Sequence, residues 1–270
     1  MQPIYVVKAG GEKELFSEEK VRKSIRRAGI PRGREEEILA HVKEVLKPEM
    51  STRVIFGHIV EFLSKGRPAE SARYGLKQSI MQLGPSGYPF EKYVAAVLAG
   101  HGYSAETNLI LPGKCISHEI DVLAQMEGKR YMIECKFHNL PGSRTDAKVA
   151  LYVKSRFLDL KVTHHLDQAW VVTNTKCTVD ALAFATCEGI KIISWGYPEK
   201  GNLQDLVESL GLYPITCQTL LSKKQVTGFL QRGVVLCKDL VGLPDERFAE
   251  LGISTKTTKR LRDEVNSILH

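Results

Sequence analysis

Asp121, Glu134 and Lys136 are charged residues set inside apolar, strand-forming runs, His118-Glu119-Ile120-Asp121-Val122 and Ile133-Glu134-Cys135-Lys136. A charge in such a run is costly to bury unless it is paired, hydrogen-bonded or bound to metal. Glu134 and Lys136 lie two residues apart, so on a strand they share a face. A hairpin turning at Met126-Glu127-Gly128-Lys129 would bring Asp121 to that face as well. Carboxylate oxygens from Asp121 and Glu134 suit a hard divalent cation, Mg²⁺ or Mn²⁺. A lysine beside them can orient metal-bound water against a phosphodiester. The same residues also read as edge-strand charges, with Glu134 and Lys136 paired over solvent, and the surrounding elements have to decide.

Those elements alternate. Phe90 to Ala99 reads as an amphipathic helix ending at Gly100, followed by strand patterns at 103–111, 118–126 and 129–137. A long helix over 146–158 precedes the apolar strand Trp170-Val171-Val172-Thr173. A helix over 177–188 then closes on Gly189 before the strand Ile190-Lys191-Ile192-Ile193. Such alternation predicts an α/β layer, a mixed sheet with helices on both sides. His118 falls on the opposite strand face from Asp121 and is assigned a structural role.

Upstream, Ile4 to Lys8 and Glu14-Leu15-Phe16 form a hairpin pattern around Ala9-Gly10-Gly11, and Ser17 caps a helix that stops at Gly29. Three more helices follow, over about 34–46, 52–63 and 69–83. The breaker cluster Gly84-Pro85-Ser86-Gly87-Tyr88-Pro89 marks a boundary. Downstream of about 201 the chain reads as helical, with a turn at Leu251-Gly252-Ile253 that could aim backbone N–H groups at a phosphate. Lys256, Lys259, Arg260 and Arg262 lie near it. A plain helical hairpin packed on the core is the other reading of this segment. Three units are expected, over 1–84, 85–200 and 201–270.

The chain has 270 residues, 43% of them hydrophobic and 26% charged, as expected of a folded soluble protein, and a net charge of +7 that favours polyanionic partners. Six scattered cysteines without a C-x-x-C pair argue for reduced thiols and a cytoplasmic location, and against a disulfide framework or a structural zinc site. A signal peptide and a membrane-spanning stretch are not expected.

In order, Phe90-Glu91-Lys92-Tyr93-Val94-Ala95, Gly102-Tyr103, His118 to Val122, Glu134-Cys135-Lys136, Val171 to Asn174 and Ala181 to Ile190 resemble the Mrr-like, type IV restriction endonuclease branch of the PD-(D/E)xK nucleases. The resemblance spans about 86–196. It implies a metal-dependent DNA endonuclease in which Asp121 and Glu134 bind Mg²⁺ and Lys136 holds or deprotonates the attacking water. Glu91 would match an acidic position that completes the metal site, and Gln168 a polar position near it. The glycine-rich lead-in that many such enzymes carry before the aspartate is absent. Phe137-His138-Asn139, Arg144, Lys148, Lys154 and Arg156 could meet phosphates, where most nucleic-acid contacts fall, with solvated surface charges the other reading of each.

Val6 to Gly11, Glu14-Leu15-Phe16, Glu19-Lys20-Val21, Ser24-Ile25, Ala28 and Ala72-x-Tyr74 resemble the ATP-cone, a nucleotide-sensing module. Lys8 and Lys20 would contact the phosphates of ATP or dATP, although the arginine usual after that first lysine is Ala9 here. The expected protein is therefore multidomain α/β (α+β), with a hairpin-plus-helices ATP-cone, a restriction-endonuclease-like centre and a small, helix-hairpin-helix-like nucleic-acid-binding tail. Its expected partners are DNA, nucleotide and a second copy of the chain. A non-cleaving, nucleotide-responsive DNA-binding regulator and a junction or repair nuclease are the alternatives.

Overall fold

The computed structural model describes residues 3–8, 11–140 and 142–269. The expected turn at Ala9-Gly10 lies outside them. In the N-terminal segment β1 (Tyr5–Val7) and β2 (Lys13–Leu15) form an antiparallel hairpin with Val6 opposite Glu14. Ser17 then caps α1 (Glu18–Arg27), its Oγ accepting from the Lys20 amide at 3.3 Å, and Glu18 and Glu19 complement the helix dipole. Gly29, at φ +64, ends the turn. α2 (Glu35–Val45), α3 (Thr52–Gly66, capped by Ser51) and α4 (Pro68–Met81) follow. Ile25, Ile38, Val42, Ile55, Ile59 and Leu63 fill the core between them.

α5 (Tyr88–Gly100) leads into a meander of β3 (Ser104–Pro112), β4 (Ser117–Met126) and β5 (Lys129–Lys136). Glu127 and Gly128, both at positive φ, make the β4–β5 turn. The chain continues through β6 (Arg144–Thr145), α6 (Ala147–Leu160), β7 (Gln168–Thr173), β8 (Lys176–Cys177), α7 (Val179–Cys187) and β9 (Lys191–Ile193). The five-stranded sheet has the order β3-β4-β5-β7-β9, antiparallel through β5 and parallel beyond it. β5 to β7 and β7 to β9 are successive parallel crossovers moving in one direction. Right-handed connection therefore puts α6 and α7 on the same face. They pack there on Ile120, Met132, Ala169 and Val171.

The other face carries α5 and the helices that follow β9: α8 (Leu203–Glu208), α9 (Lys223–Gln231), α10 (Asp239–Gly242), α11 (Asp245–Ala249) and α12 (Thr255–Leu269). Phe90, Tyr93, Val122, Ile133, Trp170, Phe229, Phe248 and Leu261 share one core, and α4 contributes Leu76 and Ile80 to it. A mixed sheet between helical layers matches the expected fold class. The two-residue ladder of β6 with β8, parallel at Arg144↔Lys176, was not legible, because two residues carry no periodicity.

The segment after β5 is held against the start of α5. A Cβ on Gly84 would come within 2.6 Å of the Phe137 ring, the Asn139 amide donates to the Pro85 carbonyl at 3.1 Å, and Phe137 packs on Phe90 at 5.4 Å. This docking places the N-terminus of α5 beside the end of β5.

Candidate active site

The β4–β5 ladder runs from Met126↔Lys129 to Val122↔Ile133 and stops there. One further step of the same register sets Asp121 opposite Glu134. The Asp121 side chain takes up the freed strand donor, with Oδ2 accepting from the Cys135 amide at 2.7 Å. On the other flank, Asn108 sits in the left-handed conformation at φ +56 between the pairs Thr107↔Val122 and Leu109↔Ile120. A non-glycine residue held there costs on the order of 1 kcal/mol, and asparagine tolerates it best. The sheet is thus locally opened on both sides of Asp121.

Glu134 and Lys136 lie on one face of β5, as their spacing predicts. Glu134 Oε2 accepts from the Arg156 guanidinium at 2.6 Å, with side-chain exposures of only 17% and 11%. Arg156 in turn stacks over Tyr152, 4.6 Å from the ring centroid. Lys136 has no hydrogen-bond or ion-pair partner among the described residues.

The carboxyl groups repel one another in a partly desolvated place. Burial, and then the charge of Glu134, pushes Asp121 up to about 6. Burial, followed by the charges of Asp121, Glu119 and Glu134, pushes Glu91 up to about 7. Glu91, in the first turn of α5, thus feels the charges of the strand carboxylates. Titrating groups displaced toward neutrality in this way are characteristic of reactive sites.

Behind Lys136 lies a buried polar network that sequence reasoning missed. The His138 amide donates to Asn174 Oδ1 at 2.9 Å and the Asn174 amide returns to the His138 carbonyl at 2.9 Å. His138 Nε2 meets Thr145 Oγ1 at 3.0 Å, and Thr145 meets Thr173 at 3.2 Å. Burial, then the Lys136 charge, holds the imidazole below its ordinary value. The only sequence signal was a polar Thr-Asn-Thr run directly after an apolar strand.

Several expected contacts are corrected. Phe137, His138 and Asn139 are engaged with the protein itself, while Arg144 and Lys148 stay exposed. Arg156 turns inward to Glu134, and Lys154 is held by Glu188 at 2.8 Å. Gln168 lies at the far end of β7, opposite Tyr131, whereas Lys136 pairs with Thr173; five strand residues, roughly 16 Å, separate it from the site. It donates to the Gly189 carbonyl and accepts from the Trp170 indole, both at 3.0 Å. In the C-terminal turn Lys256 and Lys259 are exposed, but Arg262 is bound to Asp245 at 2.8 Å.

His118 has the structural role expected of it. Its Nε2 lies 2.8 Å from Asp159 Oδ2, and Asp159 also accepts from the Cys115 and Ile116 amides. Led by the bond from His118, these contacts hold the Asp159 carboxyl at about 2. Asp159→Ala leaves three donors without this acceptor and is expected to lower the melting temperature, read by calorimetry.

Lys8 and Lys20 are brought together in the N-terminal segment, but on a carboxylate: Glu14 Oε2 is 3.0 Å from Lys8 Nζ and 2.7 Å from Lys20 Nζ. Beside them a cavity of about 230 Å³ is lined by Val6, Phe16, Lys20, Phe56 and Tyr74.

Whether the site fits a divalent cation turns on its donors. Among the described residues no three His, Cys, Asp or Glu side chains converge to hold a metal by themselves. Asp121 and Glu134 nevertheless each keep one carboxylate oxygen without a protein partner. Hard carboxylate oxygens with open coordination positions fit Mg²⁺, which retains water and substrate oxygens.

Opened sheet, clustered carboxylates and free lysine together define a nuclease-like α/β domain. In agreement, residues 84–196 match the family model described as restriction endonuclease, the Mrr catalytic domain, and residues 213–269 match AF1548-like, C-terminal. An uncharacterized protein of Archaeoglobus fulgidus is 42% identical over 176 residues, 65% of this chain and 99% of its own length. The crystal structure of a protein of unknown function, AF1548, is 41% identical, with a TM-score of 0.60 over 68% of this chain and 98% of that one. The chain belongs to the AF1548-like family. Neither family model extends to the N-terminal segment before residue 84. Among the described residues no helix is long and apolar enough to cross a membrane.

Proposed function

We propose that the protein is a Mg²⁺-dependent DNA endonuclease. The observation that carries this reading is the opened ladder at Asp121, which leaves Asp121 and Glu134 opposite each other with the unpartnered Lys136 on the same face. Asp121 and Glu134 would hold the cation, which when bound would supply charge stabilisation at the phosphoryl group and a more acidic water. Lys136 orients the attacking water and offsets negative charge developing on phosphorus. Glu91, near neutrality, is suited to holding or passing a proton. Asp121 and Glu134 are kept in place by the Cys135 amide and by Arg156. Arg144, Lys148, Lys256 and Lys259 supply phosphate contacts.

The test is nicking of a supercoiled plasmid by the native chain with Mg²⁺, with Mn²⁺ and with a chelator. Cleavage that the chelator does not stop would overturn the reading. Four-way junctions, flaps and methylated duplex distinguish a repair nuclease from a restriction-like one. The Glu134–Arg156 ion pair favours a second reading, a DNA-binding regulator in which the guanidinium stands where a cation would otherwise be held. Absence of nicking on every substrate supports it.

For the N-terminal segment, the resemblance and the convergence of Lys8 and Lys20 support ATP or dATP binding in the adjoining cavity, with the nucleotide phosphates displacing Glu14. By calorimetric titration, Glu14→Gln is expected to strengthen ATP binding several-fold and Lys20→Ala to weaken it about tenfold, a charge-assisted contact being worth roughly 1.5–3 kcal/mol. No heat at millimolar ATP for any variant would refute this. Exposed Leu151, Tyr152 and Leu158 on α6 support self-association, read by sedimentation.

A further inference from the structure

Outside the catalytic centre, the strongest concentration of unmatched charge lies where α1 and α4 meet the segment after β9. A groove of about 380 Å³ there is lined by Lys20, Lys23, Arg27, Arg73 and Lys77, with the ring of Trp195, and no carboxylate lines it. The net charge of the whole chain is +7, so five cations around one groove are a large share of the excess. Only Lys20 is ion-paired, to Glu14; among the described residues the other four have no carboxylate within ion-pair distance, and Glu208 lines the neighbouring pocket with Arg73. Five like charges converging on one groove repel one another, and an anion laid between them removes that cost.

The groove is connected to the catalytic centre through the backbone. The Trp195 amide donates to the Thr175 carbonyl at 2.9 Å. The next residue, Lys176, is paired with Arg144 across the β6–β8 ladder, and Thr173, two residues earlier, is the β7 partner of Lys136. Lys77 Nζ lies over the Trp195 ring, 5.6 Å from its centroid. Burial first, then the nearby charge of Lys176, holds Lys77 below its ordinary value. Lys136, Arg144, Lys176, Lys77 and the α1 cations thus follow one another from the catalytic centre to the N-terminal segment.

We propose that this groove carries the phosphate backbone of the nucleic-acid substrate away from the catalytic centre, making the N-terminal segment half of the substrate channel. Cations to track phosphates and an aromatic ring to stack a base are the ordinary components of such a channel. The proposal rests on the nuclease reading, and its test is run without cleavage.

The full chain, in chelator, is titrated with a labelled duplex and with the single strand of the same length over a range of salt. Lys23→Glu with Arg27→Glu changes two exposed residues without ion-pair partners. We expect at least about tenfold weaker binding at moderate salt, and a slope of log affinity against log salt smaller by about 2, since each neutralised phosphate contributes about 0.9 to that slope. Lys65→Glu with Lys200→Glu makes the same change in net charge outside the groove and is expected to leave the slope unchanged. Equal losses for both pairs would mean bulk charge and overturn the proposal. Unchanged binding by the groove variant would also overturn it, leaving the groove to an acidic partner of another class while the nuclease reading stands. Failure of the native chain to bind any nucleic acid would remove both readings together.

Discussion

For the proposed metal-dependent nuclease, Asp121→Asn is expected to abolish nicking, by at least about 10³-fold, while the protein stays folded. The asparagine side-chain oxygen can still accept from the Cys135 amide, so the bond that closes the opened ladder survives. What is lost is one of the two carboxylates facing each other at the end of the β4–β5 ladder. Removing a single preorganised electrostatic contact costs about 10² to 10³ in rate, and loss of an anionic cation ligand removes more than one contact. Lys136→Ala is expected to reduce nicking comparably without reducing affinity for Mn²⁺, because the role proposed for Lys136 is toward water and phosphate. The measurements are plasmid nicking under single-turnover conditions and Mn²⁺ titration by calorimetry, with the melting temperature as the folding control. Full activity in Asp121→Asn would remove the cluster from the chemistry altogether.

The same carboxylates make the metal-free protein less stable as pH rises. Asp121 is raised from 3.8 to about 6 and Glu91 from 4.5 to about 7, each chiefly by burial. A carboxyl group raised on folding binds more protons in the native than in the unfolded state between those values. Stability from these groups is therefore complete below about pH 4 and is lost as pH climbs to about 7. A tenfold change in proton affinity is worth about 1.4 kcal/mol; allowing for the shared repulsion and the solvent screening of the partly exposed Glu91, the loss is on the order of 3 kcal/mol. Bound Mg²⁺ or Mn²⁺ favours the charged forms, so the cation should flatten the profile and raise the melting temperature most above pH 7. Glu91→Gln with Asp121→Asn should flatten it without metal, isolating these groups from others that titrate. Denaturant unfolding from pH 5 to 8 gives the answer: His138, held low, adds stability as pH rises through the same window, so the comparison is between native chain and double variant, and identical pH profiles for the two would sink the clustered-carboxylate description.

Much of the chain's local structure was legible in its residues. The Ser17 cap, the Gly29 stop, the Glu127-Gly128 turn and the alternation of β4 and β5 are local devices, each dictated by neighbours within a few positions. Strand periodicity of two is enough to place Glu134 and Lys136 on one face, and a two-residue turn is enough to set Asp121 across from them. The order of these elements predicted the mixed sheet, because parallel crossovers leave few alternatives.

What lay beyond reach were side-chain partners chosen by tertiary packing. Arg156 read as a surface cation, yet a helix 22 residues downstream of Glu134 brings it onto that carboxylate. Gln168 matched, through the resemblance, a polar position near the site, but the parallel register of β5 and β7 sends it to the opposite end of the sheet. The sequence by itself determined the longer secondary elements, the mixed sheet and the shared face of the candidate site. Only the tertiary structure decided the Arg156 counter-ion, the carboxylate between Lys8 and Lys20, and the basic groove joining two segments. The reason is physical: periodicity and turn chemistry act over a few residues, whereas charge pairing acts through space between segments that only folding brings together.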